Sequence, residues 1–248
     1  MAQTEELFRE DSTLRECAAR LLRIDERGLL LDRTVFYPLG GGQAGDAGEL
    51  LLADGRVIAI ADTRKGKGEG AEGEILHLPA PGQEALLAGL QAGLAVTARL
   101  DWQRRHALMR FHSATHLLCA LVPHPVDGCS ITPSYARLDF HMTEALGKEE
   151  LTAGLARLVE GAHPVSQAWI SEAELDANPG LVRSMSVQPP RGMGRVRVLN
   201  IEGVDLQPCG GTHIANTAEI GPIFVTKIEK KSASTRRVVL GFADSAAG

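Results

Sequence analysis

Two pairs of metal-competent side chains, each spaced four residues apart, constrain this chain more than any other feature of it. The first is His112-Ser113-Ala114-Thr115-His116, and the second is Cys209-Gly210-Gly211-Thr212-His213. On a helix, residues i and i+4 lie one above the other on one face, so both imidazoles of the first pair can reach one ion. The stretch from Gln103 to Val122 reads as that helix. Leu108, Phe111, Leu118 and Val122 give it apolar spacing, and Pro123 stops it. The second pair sits in a glycine-bearing turn, where bare backbone can wrap closely around a ligand sphere. His112, His116, Cys209 and His213 together are a mixed nitrogen and sulfur donor set, which favours Zn²⁺. Four protein ligands fill a tetrahedral shell, whereas a catalytic zinc keeps one position open. The residues leave open whether the ion is catalytic, positions a substrate or is structural.

The rest of the chain divides by pattern. Short alternating apolar runs occur at 28–31, 34–37, 49–52, 57–60, 74–78 and 94–100, separated by turn residues such as Asp54-Gly55 and by the glycine-rich 64–73 stretch. This spacing predicts a small β-barrel over residues 1–98. From residue 99 onward, predicted helices at 103–122, 147–160 and 171–177 mix with predicted strands at 136–141, 195–201, 223–229 and 236–242. That order is α+β rather than regular βαβ winding. Ser171 with Glu174 forms a capping-box pattern, and Pro179 closes that helix. No internal repeat is present. The Lys65-Gly66-Lys67-Gly68 run lacks the phosphate-loop pattern of Gly-x4-Gly-Lys-Ser/Thr.

With 248 residues, 44% apolar and 23% charged, the chain has ample material for a globular core. The N-terminus lacks a signal-peptide pattern, no run approaches a membrane span, and the four cysteines lack framework spacing; a reducing cytoplasm is the expected location. The net charge of −5 is unevenly distributed. Residues 183–237 carry nine Lys and Arg against four acids, whereas residues 1–98 carry ten against sixteen. Lys227, Lys230, Lys231, Arg236 and Arg237 follow the second metal pair, and Arg104, Arg105 and Arg110 lie on the predicted metal helix. Such clustering suits phosphate contacts with an RNA end, and the acidic half disfavours indiscriminate nucleic-acid binding.

Five segments carry a family resemblance. His112–His116, the Cys209-Gly-Gly-Thr-His213 box and Ser232-Ala-Ser-Thr-Arg-Arg237 resemble the editing domain of alanyl-tRNA synthetase, and more closely the freestanding AlaX trans-editing proteins. Phe36-Tyr-Pro-Leu-Gly-Gly-Gly-Gln43 followed by Gly45-Asp46 resembles the glycine-rich motif of the medium and long AlaX forms, and Ala136-Arg-Leu-Asp-Phe140 resembles the strand after the metal helix. The matches run from about residue 34 to residue 240. The resemblance implies an α+β protein: a small N-terminal β-barrel with the glycine-rich motif (1–98), then a zinc-binding editing domain of the threonyl/alanyl-tRNA synthetase type (99–248). It also implies an aminoacyl-tRNA deacylase with tRNA as partner, no membrane association, and no obligate protein partner.

Individual residues then take expected roles. Gly41, Gly42 and Gln43 either form a barrel turn requiring positive φ or bring bare backbone and an amide to the substrate's terminus, bordering the metal cleft. Thr115 either turns its hydroxyl to a substrate side chain or bonds a carbonyl of its own helix. Gln43 and Thr115 are the catalytic candidates, and the catalytic group itself is unassigned. Arg137 shares a strand face with Asp139, and pairs with it or binds RNA. Lys230, Lys231, Arg236 and Arg237 complete the tRNA-binding set. An alanine site rejects glycine by only a methyl group and excludes serine weakly. The expected substrates are therefore Ser-tRNA(Ala) chiefly, and Gly-tRNA(Ala). The chain has no room for an aminoacylation or ATP-binding domain, so the expected activity is hydrolysis of released mischarged tRNA. Two alternatives are a zinc-stabilised RNA-binding module without turnover and a metallohydrolase of small esters.

Overall fold

A computed structural model describes residues 3–185, 189, 192 and 194–243. The chain forms two compact units. The first comprises residues 1–40 and 44–106, the second residues 41–43 and 107–248.

The first unit is built around a closed six-stranded barrel. Its short entry strand β1 (Glu5–Glu6) pairs in parallel with β4 (Arg33–Thr34). The barrel strands are β2 (Glu16–Asp25), β3 (Gly28–Leu31), β5 (Gly48–Leu52), β6 (Val57–Lys65), β7 (Ile75–Pro79) and β8 (Ala95–Leu100). They close in the order β2-β3-β7-β6-β5-β8, every ladder antiparallel. Alternation explains the interior: in β6, Ile58 and Ile60 point inward while Val57 and Ala59 are exposed. Leu21, Leu29, Leu31, Leu50, Val96 and Ala98 fill the same core. A four-residue helix α1 (Glu84–Leu87) precedes β8.

Two details depart from the sequence pattern. Strand β2 is not signalled, because the register shifts between Leu21 and Arg23 and breaks the two-residue period. The apolar run at 34–37 is not a full strand. Tyr37 donates its backbone N–H to the Asp46 carboxylate at 2.6 Å instead of to a ladder.

Asp46 is the centre of a buried polar network. Arg105, fully buried, donates from Nε to both carboxylate oxygens of Asp46 (3.2 and 3.0 Å), from Nη1 to the Ser12 carbonyl (2.9 Å) and from Nη2 to the Val35 carbonyl (2.6 Å). Arg105 lies in α2 (Trp102–Leu121), whose first residues, to His106, belong to the first unit and whose remainder belongs to the second. Asp101 caps α2 by accepting from the Arg104 backbone N–H at 3.0 Å.

In the second unit α2 is buried on all sides from Phe111 to Cys119, so its polar residues there need internal partners. Strands β9 (Val126–Ile131) and β10 (Ala136–His141) follow α2, then α3 (Lys148–Glu160), β11 (Val165–Ser171) and α4 (Glu172–Ala177). The chain continues with β12 (Arg195–Ile201), β13 (Asp205–Pro208), β14 (Ile223–Lys230) and β15 (Thr235–Phe242). They make two antiparallel sheets, ordered β14-β15-β10-β9 and β11-β12-β13. The Ser171–Glu174 capping box is formed. Among the unsignalled strands, β9 is interrupted by Gly128, and four of seven residues of β11 are exposed, so neither shows a buried stripe. The fold is α+β, a barrel followed by mixed helices and sheets.

Residues 41–43 cluster with the second unit, although the sequence places them in the barrel region. The reason is hydrogen bonding: the Gly42 carbonyl accepts from the Ile131 N–H at 2.8 Å, extending the β9 edge.

Removing one partner of a buried ion pair leaves an uncompensated charge, at a cost of about 3–5 kcal/mol. Asp46→Ala is therefore expected to lower the unfolding free energy by roughly that amount in urea titrations. A loss of under about 1 kcal/mol, as for an exposed pair, would show that the Arg105 network is not a determinant of stability.

Candidate metal centre

The two motifs converge. One ligand atom each from His112, His116, Cys209 and His213 lies within 4.8 Å of the others. Helix α2 delivers His112 and His116 on one face. The loop after β13 delivers Cys209 and His213, and it is anchored on β12. There the Cys209 N–H donates to the Arg197 carbonyl at 3.1 Å, and Arg197 Nη1 donates back to the carbonyls of Cys209 (2.7 Å) and Gly211 (3.0 Å).

The spacing fits an ion. With zinc bonds of about 2.0–2.3 Å, neighbouring atoms of a tetrahedral shell stand roughly 3.5 Å apart. Cys209 Sγ lies 3.4 Å from His112 Nε2 and 3.2 Å from His213 Nε2.

Each histidine has its outer nitrogen occupied, which leaves Nε2 facing the centre. His112 Nδ1 donates to Gln43 Oε1 at 2.7 Å. His116 Nδ1 donates to Asp205 Oδ2 at 2.9 Å. His213 Nδ1 meets the Ser113 hydroxyl at 3.2 Å. These three partners are held in turn. The Gln43 amide closes a pair of hydrogen bonds with Thr212: Nε2 donates to Thr212 Oγ1 (2.9 Å) and Oε1 accepts from the Thr212 N–H (3.1 Å). Asp205 accepts from Gln207 Nε2 at 3.0 and 2.8 Å and lies 3.5 Å from Arg183. Ser113 Oγ also accepts from the Ile214 N–H at 3.4 Å.

The local charges agree with cation binding. Burial raises the Cys209 thiol most, but the neighbouring His112 and His213 together with hydrogen bonds from His112 and His116 outweigh it and hold the thiol well below its ordinary value. Burial and neighbouring His112 push His213 down to about 3. Burial also works against a charged His116, yet hydrogen bonds to Asp205 and Cys209 raise it to about 9. The carboxylate that favours a proton on this imidazole equally favours a metal on its other nitrogen. Cys129, by contrast, is pushed up to about 12 by burial and stays a thiol packed against Gly42.

The other expected site residues are placed as follows. Gln43 is fully buried, and its amide is turned onto His112 and Thr212 rather than into open space. Gly41 and Gly42 adopt φ of 59° and 86°, and a Cβ on Gly42 would stand 2.9 Å from Cys129 Sγ. Thr115 donates to the His112 carbonyl at 2.6 Å, the bond within its own helix. Arg137 and Arg237 converge on Asp139. Arg137 Nη1 donates at 2.7 Å, and Arg237 makes a bidentate pair at 2.7 and 2.9 Å. Arg236 is buried and donates to the carbonyls of Glu144 (3.0 Å), Ser232 (3.2 Å) and Thr143. It braces a loop instead of presenting charge. Lys230 and Lys231 are exposed at the end of β14. On α2, Arg104 donates to the Gly45 carbonyl and Arg110 to the Ile220 carbonyl at 2.8 Å, both partly buried, while Arg105 is fully buried and bound up in the network of Asp46. Asp205 and Ser113 were not among the expected site residues. Ser113 had the signal of a small polar residue inside an otherwise buried helix, whereas Asp205 had none.

Comparison with known proteins places these features in a lineage. Residues 196–239 match the family described as the threonyl and alanyl tRNA synthetase second additional domain, and residues 3–104 match class II (A) tRNA synthetases. The alanyl-tRNA editing protein AlaX-M of Saccharolobus solfataricus is 31% identical, over 95% of this chain and 97% of its own length. That of Methanosarcina acetivorans is 32% identical, over 97% of this chain and 100% of its own length. The alanine–tRNA ligase of Metallosphaera sedula is 34% identical over 92% of this chain, a match that covers 25% of the ligase. The chain belongs to the AlaX-M family of alanyl-tRNA editing proteins. Among the described residues, no helix is long and apolar enough to cross a membrane.

Loss of a partner that orients a metal ligand typically costs 10–100-fold in metal affinity. Asp205→Asn, which keeps shape but removes the charge, is expected to weaken zinc binding by about that factor in competition titrations with a chromophoric chelator. Cys209→Ala is expected to abolish stoichiometric binding. Unchanged affinity in Asp205→Asn would remove Asp205 from the metal centre.

Proposed function

We propose that this protein is a zinc-dependent, trans-acting aminoacyl-tRNA deacylase of the cytoplasm, which clears mischarged tRNA(Ala), chiefly Ser-tRNA(Ala) and also Gly-tRNA(Ala). The observation that carries the reading is the buried three-histidine, one-cysteine centre with every outer histidine nitrogen occupied, in a chain that spans nearly the whole length of its AlaX-M relatives. In this reading residues 99–248 supply the deacylase domain, and residues 1–98 the barrel with the glycine-rich motif.

An aminoacyl ester needs little activation; hydrolysis requires a placed water and support for the developing oxyanion. Zinc, when bound, supplies Lewis-acid chemistry toward the ester oxygen or the amino group of the substrate. His112, His116, Cys209 and His213 would hold the ion, with Gln43, Asp205 and Ser113 fixing the orientation of the three imidazoles. Thr115 spends its proton on the His112 carbonyl and keeps acceptor capacity, so it suits a serine hydroxyl. A site that bonds that hydroxyl discriminates against alanine, which would leave the polar group unpaired. Gly41 and Gly42 offer bare backbone to the acceptor end. Lys230 and Lys231, with the positive excess of Arg137 and Arg237 over Asp139, provide phosphate contacts.

The purified protein is expected to hydrolyse Ser-tRNA(Ala) faster than Ala-tRNA(Ala), and a chelator or Cys209→Ala to abolish turnover. Lys230→Ala combined with Lys231→Ala should raise KM and flatten its salt dependence while leaving kcat near wild type. Cleavage of free seryl esters as fast as the tRNA would instead indicate a small-ester hydrolase, and binding without turnover an RNA module.

A further inference from the structure

Sheet edges carry unpaired backbone groups that can recruit another chain, and proteins usually blunt them. The barrel closes and has no edge. In the second unit β9 is covered: Ile131 donates to the Gly42 carbonyl, and the Val126 carbonyl accepts from the Met185 N–H at 2.9 Å. Strand β14 shifts register after Val225, whose N–H is capped by the Thr152 hydroxyl of α3 at 3.1 Å. Strand β13 has four residues and ends in Pro208. The remaining edge, β11, has no such device along its centre. Val165–Ser171 pairs with β12 without a register shift, contains no charged residue and no proline, and is exposed from Ser166 to Trp169.

Alternation fixes which backbone groups of β11 are free. The Pro164 carbonyl accepts from the Glu202 N–H at 3.0 Å, so Ser166, Ala168 and Ile170 also turn toward β12. Val165, Gln167, Trp169 and Ser171 turn outward. The two ends of this row are engaged: the Val165 N–H donates to the Ala215 carbonyl at 2.9 Å, and the Ser171 N–H to the Glu174 carboxylate at 2.7 Å. Among the described residues, nothing bonds the backbone N–H and C=O groups of Gln167 and Trp169. These two residues flank Ala168 symmetrically. A two-fold axis at Ala168 therefore lays Gln167 of one copy opposite Trp169 of the other, twice, each as a hydrogen-bonded antiparallel pair. Every free group of the row finds its partner, and the indole, 48% exposed, gains a cover.

We propose that β11 is a self-association edge, along which two copies of this chain pair antiparallel about Ala168 and join their three-stranded sheets into one of six strands. A strand without charges meets itself without like-charge repulsion, and a two-fold interface uses the same patch on both copies. With the other edges covered, broken or short, the assembly closes at two. The axis stands perpendicular to the sheet, so the faces that carry Asp205, bonded to His116, lie on one side of the joined sheet in both copies.

Sedimentation equilibrium of the full chain is expected to show mass rising reversibly from monomer to dimer with concentration. Ala168→Lys, which sets two ammonium groups at the axis, should stay monomeric while remaining folded by circular dichroism. The pair at the axis is of the non-hydrogen-bonded kind, with Cα atoms about 4.5 Å apart, inside the span of roughly 4.4–6.8 Å that a disulfide bridges. Under mild oxidation Ala168→Cys should therefore form a covalent dimer several-fold faster than the wild type, whose four cysteines set the background. Ser166→Cys and Ile170→Cys should each stay at that background and link only when combined, because the axis sets them opposite each other. A wild-type chain that is monomeric at every soluble concentration would overturn the proposal. So would a dimer that survives Ala168→Lys, or one in which Ala168→Cys links no faster than wild type.

Discussion

A buried imidazole offers one nitrogen to an ion only if something else occupies the other. The second unit is organised around meeting this condition three times, with three different partners. An amide holds His112, a carboxylate holds His116 and a hydroxyl holds His213. Each comes from a separate part of the chain: the glycine-rich segment, strand β13, and α2 itself. Metal geometry, loop anchoring and helix burial are therefore one problem rather than three. The polar groups that orient the ligands are also what make it tolerable to bury α2 on every side.

What could be read in the sequence, and what could not, follows from the range of the interactions. The ligand set is visible because each pair obeys a local period, four residues on a helix or across a short turn. Strands β3, β10 and β12 are visible for the same reason. The orienting partners are not periodic: Gln43 and Asp205 act on histidines 69 and 89 residues away. No spacing rule reaches that far: the motif alone marks Gln43 as a residue bordering the metal, and only the structure shows its amide bonded to His112 and Thr212. Strand β2 escaped notice because a bulge breaks its alternation, and β11 because an edge strand exposed along most of its length has no buried stripe.

Most of the arginines near the site are engaged by partners inside the protein. Arg105 neutralises Asp46, Arg236 gathers loop carbonyls, and Arg137 and Arg237 share Asp139. Guanidinium groups, with five donors in a planar fork, are suited to such internal bracing, whereas the ammonium groups of Lys230 and Lys231 stay in solvent. The basic stretch near the second metal pair thus combines internally bonded guanidinium groups with two exposed ammonium groups.

Gly211 carries a consequence for how such centres are recognised. Its backbone lies so close to the His112–Gln43 bond that a Cβ would stand 2.1 Å from His112 Cε1 and 2.9 Å from Gln43 Oε1. Its neighbour Thr212 pairs with the same amide. The interior of the Cys-x3-His spacing is therefore not free: one position must be hydrogen-sized and the next must offer both an N–H and a hydroxyl. A pattern written Cys-x-Gly-Thr-His, coupled to a distant glutamine, describes this centre better than its ligands do. It would separate chains that build the same cage from those that merely share four donors.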